Sequence, residues 1–495
     1  MDVPGLGTKT NYQDKIDVRF PGQNPATTVD WRNVGRKTID ILSDDVLLET
    51  FDFLVVESTA GNGFEAEDWW RTLVHVCRKW RNVIFGSTHR LNLRLFCSDK
   101  TPVRRMLDVW PPLPIVIHHS ACPKSGKDSI IAALERNDRV CQITLKLDPV
   151  ILDAMQEPFT ALTHLALLCE IDRVVPDSFM GGSAPRLQDL GLEGVPFPGL
   201  PTFLLSATDL VHLVLCRIPH SGYISPKAIV TCLSMLPRLE SFSLGFESPQ
   251  SRPNHESRHH LPPLTGTRSV LPALIMLDFT GASEYLEDFV ARIDCPLLDC
   301  LDISLFLQLL FDTPQLTQFI NRTPALNVHD QARLDFSHLS VRVTFLDTPS
   351  SYHLTLQILC RQPEWQLSST AQIFTSFFPP SFIYTVERLY IRERSYSRLE
   401  WQDDIEDSQW LELLHPFLAV KYLYLSKEFA PRIAPCLQEL VGGRTTEVLP
   451  ALQIIFLEKL HPSGPSEEAI GKFVAARRLS NNHFVAVSEW RVAKP

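Results

Sequence analysis

The chain has 495 residues, of which 44% are hydrophobic and 21% are charged, and its formal net charge is -10. This length exceeds what one compact core usually holds, so the sequence predicts either several domains or one elongated array of repeats. The acidic balance, together with the lack of a long basic tract, argues against a nucleic-acid partner.

The cysteines and the apolar runs indicate the compartment. Eleven cysteines occur without a Cys-x-x-Cys pair, and most stand inside apolar runs, where a thiol behaves as a small buried hydrophobe. We therefore expect a reducing compartment, either cytoplasmic or nuclear. The N-terminal residues lack an apolar core segment and the chain has no long uncharged apolar run, so the sequence predicts neither a signal peptide nor a membrane span, and no membrane partner is expected.

The first predicted helix follows residues 1–37, which we expect to be disordered. The run TIDILSDDVLLETFDFLVV predicts a helix capped by Ser43, with Asp44 and Asp45 at the positive end of its dipole. Its apolar stripe consists of Leu47, Phe51 and Leu54. An acidic, glycine-containing loop is expected next, in the run ESTAGNGFEAED.

The run WWRTLVHVCRKWRNVIF predicts one amphipathic helix with Asp68 as its N-cap. Its apolar face consists of Leu73, Val74, Val76, Cys77, Trp80, Val83 and Ile84. Helices this few and this short cannot cover one another, so they imply a neighbouring polypeptide or a neighbouring part of the same chain.

The two helical runs resemble the F-box, a short module that joins a protein to a cullin-type ubiquitin ligase through a Skp-type adaptor. The family's Leu-Pro-x-Glu-Val-Leu run stands here as Leu-Ser-Asp-Asp-Val-Leu at residues 42–47, and its Val-Cys-Arg-x-Trp run is Val-Cys-Arg-Lys-Trp at 76–80. Ser43 replaces the family's proline and Asp45 its glutamate, and the loop from Val55 to Asp68 is longer than in a minimal F-box. The resemblance implies an F-box-like domain at residues 38–90. The adaptor-binding residues that it implies are Leu42, Ser43, Val46, Leu47, Phe51, Val76, Cys77 and Trp80.

Residues 91–495 repeat one strand pattern. Leu91, Leu93 and Leu95 alternate as in a half-buried strand. The pattern apolar-x-x-apolar-x-apolar then starts at Val140, Leu162, Leu187, Leu210, Leu239, Leu274, Leu298, Val386, Val420 and Leu452. The early starts are spaced close to the ~20–29 residues of a leucine-rich repeat.

A proline stands two residues before the first apolar position in five of these patterns. The five prolines are Pro185, Pro237, Pro272, Pro296 and Pro450. Because proline cannot donate to a β-ladder, we expect each one in the turn that leads into a strand. The sequence is similar to irregular leucine-rich-repeat arrays, and an F-box followed by such an array resembles large families in mushroom-forming fungi.

The resemblance therefore implies an α/β protein, with a short helical F-box followed by an irregular leucine-rich-repeat horseshoe or solenoid. The gap between Leu298 and Val386 is expected to hold degenerate repeats or an inserted hairpin, because HLSVRVTFL and YHLTLQILC alternate like strands. A helix capped by Ser466 and a final strand in HFVAVSEW are expected to close the array.

Loop insertions are expected near residues 247–269 and 392–408. The first contains His255, His259 and His260, for which a solvated loop is favoured over a metal site because no cysteine or carboxylate cluster completes the ligands.

If the array is a horseshoe, the fourth and sixth positions of each pattern face the core, and the third, fifth and seventh face the concave side. The early repeats have small residues at the fifth position: Thr144, Ala166, Gly191, Val214 and Ser243. The late repeats carry aromatic and arginine side chains, which dominate binding hot spots. The expected client-binding residues are Arg388, Tyr390, Arg392, Tyr422, Tyr424 and Phe456. The alternative is that these aromatic residues only cover a thinning sheet.

The segment ACPKSGKDSI is the nearest approach to an enzymatic motif. A phosphate-binding loop needs a glycine where Ala121 stands and a hydroxyl where Asp128 stands, and an aspartate repels phosphate. We therefore expect a turn into a helix capped by Asp128 or Ser129, with no cofactor and no metal. Since no other catalytic motif or zinc-ligand spacing occurs, the sequence predicts that the protein is not an enzyme.

The resemblance implies a substrate-recognition subunit of an SCF-type cullin-RING ubiquitin ligase. Such a subunit docks the adaptor, and through it a cullin, and binds a client protein on the repeats. Two alternatives remain: an interaction scaffold that keeps the F-box contact without ligase function, and a nucleotide-binding enzyme that uses Lys127.

Overall fold

The computed structural model describes residues 42–59, 69–98, 101–119, 127–170, 173–249, 268–306, 313–327, 329–347, 352–360, 363–378, 380–394, 407–441, 444, 446–458, 464–481 and 485–490. The chain divides into two compact units, Met1–Asn92 and Leu93–Pro495. The segment that we expect to be disordered, residues 1–37, lies outside the described residues. None of the helices in the described ranges has the length and apolar character of a membrane span.

The first unit contains three helices in its described residues: α1 (Asp44–Thr59), α2 (Trp69–Val74) and α3 (Arg78–Gly86). The start of α1 is as predicted, because the Oγ of Ser43 accepts a hydrogen bond from the amide of Val46 at 3.4 Å, which satisfies one free donor of the first turn. Two residues of the predicted apolar stripe, Leu47 and Phe51, are buried. The side chain of Leu54 lies outside the described residues.

The second predicted helix is in fact two helices, so the prediction of one continuous helix is wrong. Cys77, between them, has an extended backbone with φ -156° and ψ 171°, and its Sγ accepts a hydrogen bond from the amide of Trp80 at 3.5 Å. Cys77 is therefore the N-cap of α3. The turn before it leaves Val76 53% exposed, while Trp80 packs edge-on against Phe51 with ring centroids 5.1 Å apart. The predicted cap Asp68 lies outside the described residues.

The second unit alternates strands with helices. Its strands are β1 (Leu95–Cys97), β2 (Ile115–His119), β3 (Val140–Lys146), β4 (His164–Leu168), β5 (Asp189–Glu193), β6 (His212–Ile218), β7 (Ser241–Phe246), β8 (Ser269–Val270), β9 (Met276–Gly281), β10 (Ile293–Asp294), β11 (Cys300–Leu305), β12 (Gln331–Ser337), β13 (Ser340–Leu346), β14 (Tyr352–Leu359), β15 (Arg388–Glu393), β16 (Tyr422–Leu425), β17 (Ile454–Glu458) and β18 (Ala486–Trp490). Its helices are α4 (Val103–Val109), α5 (Lys127–Leu134), α6 (Pro149–Ala154), α7 (Leu200–Leu204), α8 (Pro226–Leu233), α9 (Ser283–Val290), α10 (Pro314–Arg322), α11 (Pro363–Gln372), α12 (Pro380–Ile383), α13 (Asp407–Leu414), α14 (Ala430–Glu439) and α15 (Pro465–Asn481).

Sixteen of the strands in the described residues form one sheet, in the order β1-β2-β3-β4-β5-β6-β7-β9-β11-β14-β13-β12-β15-β16-β17-β18, and β8 pairs with β10 apart from it. Most neighbours in the sheet are parallel, as the βα repeat requires. This architecture is that of a leucine-rich-repeat-like array, so the expected α/β class and repeat organisation are confirmed for the described residues.

Each predicted pattern lies at a strand of this sheet, and the proline turns are confirmed. In the turn before β5, for example, the amide of Leu187 donates to the carbonyl of Ala184 at 3.1 Å with Pro185 between them. Proline suits this place because its fixed φ fits the second residue of a type I turn. The carbonyl of Thr163 in the preceding repeat then accepts both from Gln188 at 2.8 Å and from the next amide at 3.1 Å.

The region between Leu298 and Val386 holds an inserted antiparallel meander. β14 pairs parallel with β11, β12 pairs parallel with β15, and β13 pairs antiparallel with both β14 and β12. The sheet therefore continues through the gap, and of the two expectations for it the inserted hairpin is confirmed.

Several boundaries differ from the sequence-based predictions. α1 continues past Val55, where the loop was expected to start, and β1 begins at Leu95 rather than at Leu91. α15 begins at Pro465, which makes Ser466 a first-turn residue rather than the N-cap. The final strand is confirmed, because β18 pairs parallel with β17.

Most of the two expected loop insertions lies outside the described residues, including His255, His259 and His260. At their borders, β8 starts at Ser269 and α13 starts at Asp407.

Candidate functional site

The sheet of the second unit has a buried face and an open face. In β5, Leu190 and Leu192 are 2% and 4% exposed and belong to the core. Asp189, Gly191 and Glu193 alternate with them and point to the other side. We call that side the open face. The predicted assignment of the third, fifth and seventh pattern positions to this face is confirmed.

One row of residues crosses the open face because the strands pair in register. The row consists of Thr144, Ala166, Gly191, Val214, Ser243, Asp278, Asp302, Thr355, Thr344, Arg333, Tyr390, Tyr424, Phe456 and Ser488. We call it the central row. Its composition changes from small residues through an acidic pair to arginine and aromatic residues, so chemical character varies along the sheet.

The aromatic end of the central row is a stack of three rings, which we call the aromatic ladder. Tyr390 and Tyr424 lie 4.2 Å apart with planes 10° from parallel, and Tyr424 and Phe456 lie 4.4 Å apart at 4°. Strand spacing of about 4.8 Å places rings from neighbouring strands at stacking distance. The rings cover one another's faces, so they present mainly their edges and hydroxyl groups to a partner.

Burial raises the pKa of Tyr424 to about 12, and the neighbouring hydroxyl of Tyr390 adds to the shift. Tyr424 is therefore neutral at physiological pH and can donate a hydrogen bond from its hydroxyl group.

The remaining expected client-binding residues flank the ladder. Arg388 pairs with Asp330 at 3.1 Å, and Arg392 pairs with Asp335 at 2.7 Å. Tyr422 lies one pleat from the ladder, with its ring 6.5 Å from that of Phe456. The structure thus brings all six residues into one patch, but both predicted arginines already have carboxylate partners.

Sequence reasoning missed two arginines of this patch, Arg333 on β12 and Arg342 on β13. Both belong to the meander, which lacks the repeat pattern, so the sequence did not indicate that their side chains lie on the open face. The alternation in QARLDFS, residues 331–337, is the signal that could have revealed β12 as a strand.

An acidic pair occupies the middle of the central row. Asp278 on β9 and Asp302 on β11 are register neighbours. Burial raises the pKa of both carboxyl groups, and the charge of Asp302 raises that of Asp278 further. The charge of Arg342 acts in the opposite direction on Asp302.

The first unit exposes four large apolar side chains. Leu42, Val46 and Val76 are 40%, 48% and 53% exposed, and Phe53 is 73% exposed. The start of α3 lies beside the start of α1, because the Nζ of Lys79 donates to the carbonyl of Leu42 at 2.5 Å.

The expected adaptor-binding residues divide between the surface and the interior of this unit. Leu47 and Phe51 are 1% and 0% exposed, so the structure places them in the core rather than at a contact surface. Cys77 and Trp80 are half-buried, and Ser43 is exposed. Sequence reasoning missed Phe53. Its i, i+7 spacing from Val46, which places the two residues on one face of a helix, could have indicated it.

Lys127, the lysine of the degenerate phosphate-loop motif, is the first described residue of α5 and forms an ion pair with Asp148. The carboxylate of Asp148 also accepts from the amides of Val150 and Ile151 as the N-cap of α6. Residues 121–126 lie outside the described residues. Within the described ranges, no group of three or more His, Cys, Asp or Glu side chains could hold a metal ion.

No protein-family model matches this chain, and no curated protein matches it. Among solved structures, it is similar to the leucine-rich repeat-containing protein LegL7 from Legionella pneumophila, with 15% identity and a TM-score of 0.28. That match covers 67% of this chain and 97% of the other. The assignment of a leucine-rich-repeat-like array therefore depends on the strand order and turns of this chain itself.

Proposed function

We propose that this protein is a non-enzymatic substrate receptor of a cullin-RING ubiquitin ligase. Its first unit would dock a Skp-type adaptor, and the open face of its second unit would bind a client protein. The observation that carries the proposal is the set of apolar side chains that the first unit leaves exposed, in a segment whose sequence resembles the F-box.

The exposed set has the character of a contact surface. Val46 and Phe53 stand two turns apart on one side of α1, and Leu42 and Val76 lie at the end where α1 and α3 meet. Large exposed apolar side chains grouped in this way are typical of protein-binding surfaces.

The buried residues of the first unit hold this exposed surface in place. Leu47, Phe51 and Trp80 pack on one another or into the core, so they hold α1 and α3 together rather than contact a partner. The proposed adaptor-contacting residues are therefore Leu42, Val46, Phe53 and Val76, positioned by that small core.

The proposed client site is the patch around the aromatic ladder. Tyrosine and arginine are enriched in binding hot spots because they combine apolar area with hydrogen bonding. All three ladder rings are half-buried, so a partner would cover their remaining surface without a large loss of side-chain entropy.

Co-purification with recombinant Skp-type adaptor and cullin tests the proposal. We expect the full-length protein to recover both, and Val46→Asp with Phe53→Asp to lose both, because two carboxylates would be desolvated in the contact. Asn82→Asp is the control for each Asp substitution made singly, since Asn82 is exposed on α3 and the change adds the same single negative charge.

Recovery of adaptor with little cullin would instead identify an interaction scaffold. Equal recovery by the double variant and the wild type would show that this apolar surface is not the docking site. Failure to recover the adaptor, together with nucleotide binding that Lys127→Ala abolishes, would favour the enzyme alternative.

A further inference from the structure

Two arginines of the open face have no carboxylate partner among the described residues. The guanidinium of Arg333 lies over the ring of Tyr390, 5.7 Å from its centroid. The Nη2 of Arg342 donates to the amide oxygen of Gln357 at 2.7 Å. The Nε of each arginine is buried and lacks a hydrogen-bond partner in this part of the chain.

These two arginines lie on the same face, close to each other. In the antiparallel register of β12 and β13, Arg333 is opposite Thr344, and Arg342 is opposite Asp335. Arg333 and Arg342 are therefore diagonal neighbours, a relation that places long side chains within reach of one ligand.

Two of the carboxylates near this pair are engaged by other arginines, and a third, that of Asp302, is close enough to Arg342 for the charge of the arginine to lower its pKa. Asp335 binds Arg392, and Asp330 binds Arg388. With those two ion pairs made, Arg333 and Arg342 bring two positive charges against the single carboxylate of Asp302, which is a local positive excess on a chain whose formal net charge is -10. Such a local excess attracts an anionic group in preference to the rest of the surface.

We propose that this patch binds an acidic segment of the client protein, with Asp or Glu carboxylates on Arg333 and Arg342 and an apolar side chain against the aromatic ladder. The proposal rests on the proposed client-binding role of the open face and specifies the chemistry of the client. Tyr390 supports Arg333 through the contact of its ring with the guanidinium, which restrains the arginine that would bind the carboxylate.

The central row also sets the direction and spacing of such a segment. Asp278 and Asp302 lie beyond β14 and repel carboxylates, so the acidic residue is confined to the side of β13 that faces the ladder. From Arg333 to Phe456 there are three strand spacings, roughly 14 Å, which an extended peptide crosses in about four residues. We therefore expect an acidic residue about four positions from an aromatic or large aliphatic one.

Selection from a displayed library of random linear peptides tests the proposal on the full-length protein. We expect the wild type to select peptides with Asp or Glu at that spacing from a large apolar residue. Arg333→Gln and Arg342→Gln should weaken capture of those peptides about tenfold or more each, with the affinity of the wild type falling as salt is raised. Arg104→Gln is the matched control, because Arg104 is an exposed residue of α4 and the change removes the same charge.

Four outcomes would overturn the proposal: no peptide is selected, the selected peptides show no excess of Asp or Glu, Arg333→Gln selects the same peptides, or only phosphoserine-containing members of a second library bind. A further outcome is that Tyr424→Ala abolishes peptide capture while Arg333→Gln leaves it intact. That result would support the ladder as a client site and would rule out an acidic ligand. Adaptor recovery should also be measured on the same variants, because it depends on the first unit. Adaptor recovery without selection of acidic peptides would overturn the acidic-ligand proposal alone, whereas loss of adaptor recovery by the wild type would overturn the proposed receptor function.

Discussion

The buried arginine of the last helix provides a direct test of how the array closes. Arg477 on α15 is 0% exposed. It donates to the carbonyls of Val448 at 3.4 Å, Leu449 at 2.5 Å and Pro450 at 2.7 Å. These carbonyls belong to the turn before β17, in which Leu449 has the unfavourable positive φ of 50°. The guanidinium therefore holds the turn that leads into the strand carrying Phe456.

Replacement of Arg477 by Met keeps most of the side-chain length and removes the donors. The carbonyl of Leu449 retains the amide of Leu452 at 3.0 Å, whereas those of Val448 and Pro450 lose the guanidinium. The buried carbonyl of Val448 without a donor would cost about 1–3 kcal/mol and the part-buried carbonyl of Pro450 less than that, and removal of a desolvated charge offsets part of the total. We expect a net loss of about 2 kcal/mol.

Hydrogen exchange is the appropriate assay, because repeat arrays open locally as well as globally. A loss of that size should speed exchange of the β17 amides roughly thirtyfold, with little change at β5. Lys472→Met on the exposed side of α15 is the control, and it should cost under about 0.5 kcal/mol because it removes only a surface pair with Glu468. If Arg477→Met and Lys472→Met exchange alike at β17, the capping role of Arg477 is refuted.

Three further predictions concern a glycine, a cap and a titration. Gly194→Ala should lower the free energy of unfolding by about 1–3 kcal/mol, measured by chemical denaturation. The reason is that Gly194 has φ +66° and an added Cβ would lie 2.5 Å from the carbonyl oxygen of Cys169. Unchanged stability would contradict this. Cys77→Ala should destabilise the first unit by about 0.5–2 kcal/mol and Cys77→Ser should not, as followed by circular dichroism, and equal effects would show that the cap is unimportant. Spectrophotometric titration should show one tyrosine ionising near pH 12, and Tyr424→Phe should remove it. Because the folded pKa of Tyr424 lies above its unfolded value, its contribution to stability is present below about pH 10 and is lost as pH rises through the folded pKa. A Tyr424→Phe protein with an unchanged titration curve would exclude the assignment.

Much of the second unit could be predicted from the sequence because its rules are local. A turn proline and apolar residues at alternate positions specify a strand and its buried face within a few residues, and every predicted pattern leads into or starts a strand of the sheet. The same local rule placed Tyr390, Tyr424 and Phe456 in one row. Their ring-to-ring stacking could not be predicted, because it depends on which strands become neighbours.

The first unit shows where helical periodicity is insufficient. The pattern assigned Leu47, Phe51 and Val76 alike to an apolar face. In the structure, the extended backbone at Cys77 divides the second helix, Phe51 packs against Trp80, and Val76 and Phe53 are exposed. Periodicity reports that a residue is apolar and on one side, but not whether that side meets its own chain or a partner.

The repeat, the buried face of each repeat strand and the two-part organisation could be predicted because short-range pattern and turn chemistry are sufficient for each. Three relations could not be predicted in this way: the pairing of the inserted strands with both β11 and β15, the position of Arg333 beside Tyr390, and the ion pair of Lys127 with Asp148. These relations join residues distant in the chain, and their free energy depends on which surfaces meet rather than on any local pattern.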